Sequence, residues 1–276
     1  MVIDFHTHCF PDKLARRAIA KLEESAGEKA YLDGTVSGLL RSMDRAGIDL
    51  SILQPVATRP GQERSINEWA WACTARAPGR ILSFGSIHPD SRDWRDEIRR
   101  IADYGLKGVK FHPDYQEFYV DEPRVFPVYE ALCAEGLVIL FHAGIDIGLP
   151  EPCHCPPERL RKVIQRLPEG KWVAAHMGGW RCWDEVEAGL VGQPLYFDTS
   201  YSYPWLGAAR MRSLILAHGV DRILFGTDSP WADQAQAVAE IHDLGLPLEM
   251  EKTILGGNAA ALLGLGANSN GGMGQD

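Results

Sequence analysis

Short runs of consecutive apolar residues, many of them β-branched, recur along the whole chain. They fall at residues 2–5, 50–55, 81–86, 106–111, 138–141, 171–175, 195–198 and 222–226. The runs are continuously apolar rather than alternating, as expected for parallel strands covered on both faces. Between them the apolar spacing turns helical. Residues 93–104 place Trp94, Ile98, Ile101 and Ala102 on one face, and residues 123–134 do the same with Val125, Val128, Tyr129 and Leu132 before Gly136. Residues 157–167 carry Leu160, Val163, Ile164 and Leu167 behind Pro156-Pro157, where a missing N–H costs little. Further helices are predicted at 211–217 before Gly219 and at 234–244 before Gly245. Residues 12–47 leave room for two helices, and 249–265 predict an extra C-terminal one.

Eight strand–helix alternations have two main solutions, an open doubly wound sheet or a closed (β/α)₈ TIM barrel. A barrel needs about 250 residues, which a chain of 276 supplies. The predicted domain is therefore residues 1–265, and the Gly- and polar-rich residues 266–276 form a mobile tail. The 45% apolar and 24% charged fractions exclude global disorder and fibrous folds. A formal net charge of −9 argues against non-specific nucleic-acid or anionic-membrane binding. The expected partner is a small molecule, with a homodimer left open. No basic-then-apolar N-terminal segment is present, and the longest apolar runs are too short to span a bilayer, so the expected location is the cytoplasm.

The polar residues decide between the two folds. Five of the runs end in, or lead straight into, ionisable or metal-capable side chains: His6-Thr7-His8, Lys110-Phe111-His112, His142, His176 and Thr227-Asp228. Parallel strands of a barrel present their C-terminal ends on one face, so these groups converge on one mouth. Side chains on a strand alternate, so His6 and His8 point the same way, with Phe5 and Thr7 opposite. Two imidazoles on one side can share an ion, and a carboxylate such as Asp228 adds a hard oxygen. Asp228 could instead cap a helix, but Ser229 before Pro230 is placed to cap one, leaving Asp228 free. His88, His218 and His242 have no supporting pattern and are expected to face solvent or cap helices.

Taken in order, Ile3–His8, Gly108–Pro113, His142-Ala143-Gly144, Ala175–Gly179, Leu224–Trp231 and Gly257–Ala260 resemble the amidohydrolase superfamily, in particular amidohydrolase family 2. The resemblance implies a TIM-barrel, metal-dependent hydrolase. His6, His8, His142 and Asp228 would ligate one divalent metal, most simply zinc, in preference to two. His176 would act beside the metal. Lys110 stands where some two-metal members carry a bridging carboxylated lysine, but His112 two residues on makes a Lys-x-His pair that departs from that pattern, and pairing with Asp228 or a substrate carboxylate is the alternative. The expected reaction is hydrolysis of a small amide, lactone or ester by metal-activated water, with Asp228 and His176 catalytic. The alternative is non-oxidative decarboxylation of an aromatic or unsaturated acid, with Lys110, His112 and Arg59 holding substrate. A barrel that binds metal without catalysis is a third reading.

Three loops are distinctive. Residues 144–157 contain Cys153-His154-Cys155, which lacks the second ligand cluster of a zinc clip and reads as an ordinary loop. Trp180, Tyr201, Tyr203, Trp205 and Trp231 either line the mouth or pack its rim, and Gly178-Gly179 would let backbone approach the metal. Cys73 and Cys133 are expected in helices, within a core of free thiols.

Overall fold

The structure, a computed structural model, describes residues 1–149 and 151–266. The expected tail lies outside the described residues beyond Gly266. The strands are β1 (Ile3–Thr7), β2 (Leu50–Leu53), β3 (Ile81–Ser83), β4 (Gly85–Ser86), β5 (Gly108–Phe111), β6 (Val138–Phe141), β7 (Lys171–Ala174), β8 (Tyr196–Asp198) and β9 (Ile223–Leu224). All pair in parallel, in chain order. β3 and β4 are halves of one barrel stave, divided at Phe84, whose N–H bonds the Leu53 carbonyl at 2.9 Å before the chain turns to pair with β5. The last stave returns to the first. Phe5 N–H bonds Phe225 O at 2.8 Å, Asp228 N–H bonds His6 O at 2.8 Å, and His8 N–H bonds Ser229 O at 2.6 Å. Eight staves therefore close a TIM barrel, as expected.

The core divides into two layers. Ile3, Phe5, Leu50, Ile52, Phe84, Val138, Leu140, Val173 and Leu224 form an inner cluster, plugged by Ala259 and Leu263 from the C-terminal segment. The alternate strand residues, such as Val109, Phe111, Ile139 and Phe141, join the helices in an outer cluster. This parity puts Lys110, His112, His142 and Asp198 on the inner side. In β1 the parity is broken. Its register shifts between Asp4 and Thr7. Ile3 and Phe5 both lie in the inner cluster, yet His6 also meets the inner side chains Lys110 and Asp198. Phe5 thus does not face opposite to His6, because the bulge re-aims the strand end, a common device beside active sites.

The helices differ from the predicted ones where tertiary contacts intervene. The segment before β2 carries the two expected helices, Asp12–Ala26 and Val36–Ala46. Helix Glu63–Arg76 escapes the pattern because its inner face carries buried Glu63 and Asn67, the latter bonded to Ser86 N and O. Helix Tyr203–His218 starts earlier than 211 and bends at Gly207. No helix starts at Pro230. Ser229 is tied into the barrel seam opposite Thr7, so Asp233 caps the helix Gln234–Asp243 instead. The C-terminal helix is broken into Leu248–Lys252, a π turn at Thr253–Gly257 and Asn258–Leu263. There Phe225 N–H takes the Ile254 carbonyl at 3.1 Å, and insertion into a helical ladder of this kind opens a π turn. Among the described residues no helix is long and apolar enough to cross a membrane.

Candidate active site

The strand ends gather the polar residues at one mouth. His6 Nε2 lies 3.1 Å from His8 Nε2 and 3.5 Å from Asp228 Oδ1, and His8 Nε2 lies 3.1 Å from the same oxygen. Gly226 permits this approach, since a Cβ there would stand 2.9 Å from His6 Cβ. Asp228 and His176 both hold left-handed backbone, with φ of 69° and 58°. Non-glycine residues rarely adopt it, and the seam and loop contacts hold them there.

Hydrogen-bond partners settle which nitrogens carry protons. His6 Nδ1 lies 2.7 Å from Asp198 Oδ2, and His8 Nδ1 lies 2.9 Å from Gln54 O. Both partners accept in these bonds, so each Nδ1 donates and each Nε2 presents a lone pair. His176 Nδ1 donates to Ser200 O at 3.0 Å, leaving its Nε2 to accept from His142 Nδ1 at 3.1 Å. That commits His142 Nδ1 as donor, and its buried Nε2, 3.9 Å from Asp146 Oδ2, has no hydrogen-bond partner among the described residues. His112 differs. Its Nδ1 accepts from Tyr115 N–H at 3.5 Å, so its Nε2 carries the proton, 3.2 Å from Asp146 Oδ2.

Electrostatics keep His6, His112 and His142 neutral. Burial, then the Lys110 charge, lowers His6 to about 4. Burial also holds His112 and His142 well below the ordinary imidazole range. Burial lowers Lys110 to about 8, with its Nζ 3.2 Å from His6 Nε2. Burial alone would raise Asp198 and Asp228, but the neighbouring histidines outweigh it and hold both carboxyls well below their ordinary value. Neutral imidazoles and ionised carboxylates are the forms that bind metal.

Among the described residues two groups have ligand atoms close enough to hold an ion: His6, His8 and Asp228, and separately His112, His142 and Asp146. The first suits a divalent cation well. Two lone pairs and a carboxylate oxygen converge, each imidazole oriented by a second partner. In the second, His112 has both nitrogens committed. His142 was expected with the first group and stands in the second, stacked on His112 at 4.1 Å.

Other expected residues fall elsewhere. Arg59 is exposed and does not line the cleft, because Gln62 Oε1 accepts its backbone N–H and turns the loop outward into helix Glu63–Arg76. A Cβ at Gly178 would meet Phe197 and Val186, so that glycine serves packing below the mouth and not approach to a metal. Trp180, Tyr201 and Trp231 line the cleft, whereas Tyr203 and Trp205 line a neighbouring cavity of about 470 Å³. His218 does not face solvent. It is buried between Leu195 O, 2.9 Å from Nε2, and Gly192 N–H, 3.2 Å from Nδ1. His88 is buried too, its Nδ1 accepting from Asp90 N–H, while His242 pairs with Glu251 at 2.7 Å. His154 is anchored by Asp114 and forms no metal group with its cysteines. Sequence reasoning missed Asp198 and Asp146. Asp198 stands at a strand end like the others, a signal within reach, whereas Asp146 lies in a loop after β6 with no periodicity to mark it.

Comparison with known proteins follows from this geometry. Residues 3–265 match a family profile described as amidohydrolase. The 2-amino-3-carboxymuconate-6-semialdehyde decarboxylase of Dictyostelium discoideum is 22% identical over 96% of this chain and 92% of its own length. The 5-carboxyvanillate decarboxylase of Sphingomonas paucimobilis superposes with a TM-score of 0.70 at 19% identity, covering 95% of this chain and 98% of that one. A dihydroxybenzoic acid decarboxylase of Polaromonas sp. JS666, with bound manganese and the inhibitor 2-nitroresorcinol, gives 0.71 at 18% identity, covering 96% and 97%. All three are decarboxylases. They overturn the expectation of amide, lactone or ester hydrolysis.

Proposed function

The chain belongs to the amidohydrolase family, and from that premise we propose that it is a metal-dependent, non-oxidative decarboxylase of an aromatic or otherwise unsaturated carboxylic acid. The observation that carries this reading is the Lys110 ammonium group, 3.2 Å from His6 Nε2 on the floor of a cleft walled by Trp180, Tyr201 and Trp231. A cation set against the metal-holding group at the base of aromatic walls is a seat for the carboxylate of a planar acid. The decarboxylase relatives support the same reading.

His6, His8 and Asp228 would hold one divalent ion, and His142, whose Nε2 lines the same cleft without a hydrogen bond, would be a fourth donor. Zinc and manganese both suit such a nitrogen and oxygen set. The ion when bound supplies positive charge that fixes the substrate's carboxylate. Lys110 pairs with that carboxylate from the floor. His176, held at Nδ1 by Ser200, would take a second proton at Nε2 in place of the His142 bond and pass it to the ring carbon that bears the carboxylate. A C–H bond forms there. The bond to the carboxyl carbon then breaks, its electron pair returning to the unsaturated system, and CO₂ leaves. One proton is taken up per CO₂, and water resupplies it to His176.

The test is CO₂ release from a panel of aromatic and unsaturated acids by metal-loaded protein in D₂O. Deuterium is expected at the carbon that lost CO₂. A product carrying oxygen from water, with no CO₂, would overturn the proposal.

A further inference from the structure

The cleft over the strand ends encloses about 650 Å³, far more than one substituted ring fills. Its positive charge is confined to the floor. Among the described residues Lys110 is the one lysine or arginine that lines it. The rest of the sequence, Pro150 and residues 267–276, contains neither residue type. Arg59 is exposed and does not line the cleft, and the Arg181 guanidinium is stacked over Trp180 and Trp205, 4.6 and 4.9 Å from the ring centroids.

The outer wall is largely apolar, with Glu28, Thr58, Gln62 and Ser65 as its polar members. Phe10, Leu14 and Leu22 come from the segment after β1, Ile66 and Trp69 from helix Glu63–Arg76, and Ile147 from the loop after β6. Ser25 Oγ donates to Gly148 O at 3.0 Å, tying the end of helix Asp12–Ala26 to that loop across the opening. Leu14 and Ile147 stay 54% and 39% exposed, so the apolar lining continues to the rim of the cleft.

We infer that the substrate carries a single carboxylate, seated at Lys110, and an apolar far end that covers this wall. Acids with a second carboxylate at the far end are excluded, because that group would be stripped of water among apolar side chains, with Glu28 as the nearest charge type offered by the wall. The inference rests on the decarboxylase reading and narrows it to a substrate class.

The test uses the full, manganese-loaded chain and reads binding by intrinsic tryptophan fluorescence, apart from turnover. Benzoate, 4-butylbenzoate and 4-(3-carboxypropyl)benzoate form a matched series. The butyl chain is expected to tighten Kd at least about tenfold over benzoate, and the terminal carboxylate to remove that gain. Trp69→Ala should shrink the butyl effect, and Leu22→Arg should reverse the order in favour of the dicarboxylate. A dicarboxylate that binds wild type as tightly as the butyl compound overturns the inference, as does failure of all three to bind. CO₂ release from ring-hydroxylated and unsaturated acids of the panel above separates the two levels. Binding in the expected order without CO₂ from any acid sinks the decarboxylase reading alone, whereas CO₂ release with the binding order reversed sinks only the substrate class.

Discussion

Two kinds of buried histidine occur in this barrel. His218 sits in the outer layer, stacked on Phe197 at 3.8 Å, with one nitrogen bonded to Leu195 O and the other to Gly192 N–H. His6 is buried as deeply at the mouth, yet only its Nδ1 is committed to a proton acceptor, and its Nε2 turns toward His8, Asp228 and Lys110. Burial and residue type are the same, so neither marks a site. The difference lies in the nitrogen left available after the protein has fixed the ring. A core histidine has no chemistry to offer because both nitrogens are already used. His6 and His8 at the mouth are each held by one nitrogen and offer the other.

This contrast can be broken most severely at the mouth. His8→Ala removes one of two converging lone pairs and should bring bound divalent metal to background in elemental analysis, with CO₂ release falling by orders of magnitude. A variant that retains full metal content would place the ion elsewhere. Asp198→Asn leaves the lone pairs but weakens their orientation. Loss of a carboxylate partner behind a metal-ligating histidine costs roughly 10–100-fold in metal affinity, and a competition titration against a chelator should show a loss in that range. Asp146→Asn touches only the group in which His112 is already committed. Metal content should stay unchanged and turnover fall by about tenfold through a misplaced His112. Loss of metal from this variant would make the second group a metal site as well.

The smallest effect is expected at His218, and it concerns stability alone. Burial lowers its folded-state value to about 4, against 6.5 ordinarily. The unfolded chain therefore binds the extra proton first. Stability is fully present above about pH 6.5 and declines as pH falls toward 4. His218→Phe should cost roughly 1–3 kcal/mol at neutral pH by orphaning Leu195 O and Gly192 N–H. It should also flatten the decline of Tm between pH 6.5 and 4 while leaving metal binding intact. A wild-type Tm that does not change across that window would show His218 to be protonated without penalty.

Much of the architecture is legible in the residues. Continuous apolar runs such as Val138–Phe141 need cover on both faces, which parallel strands in a barrel provide. Polar groups at the ends of those runs share one mouth for the same topological reason. Element limits were less legible where long-range bonds override local preference, as when Phe225 draws the Ile254 carbonyl out of a helix. His218 looked like a capping or surface group because its partners are backbone atoms some 23 and 26 residues away. Asp146 carried no pattern at all, and its approach to His112 depends on how the loop after β6 folds back.

The sequence alone therefore determined the barrel and the list of groups that could meet at its mouth, because strand periodicity and parallel pairing are local rules repeated eight times. Only the tertiary structure decided which nitrogen of each histidine is available, that Arg59 turns outward, and that positive charge is confined to the floor of an apolar cleft. Those properties depend on what stands within hydrogen-bonding distance of a side chain. For His6 the deciding partner is Asp198, 192 residues away in the chain, and no local pattern encodes such a meeting.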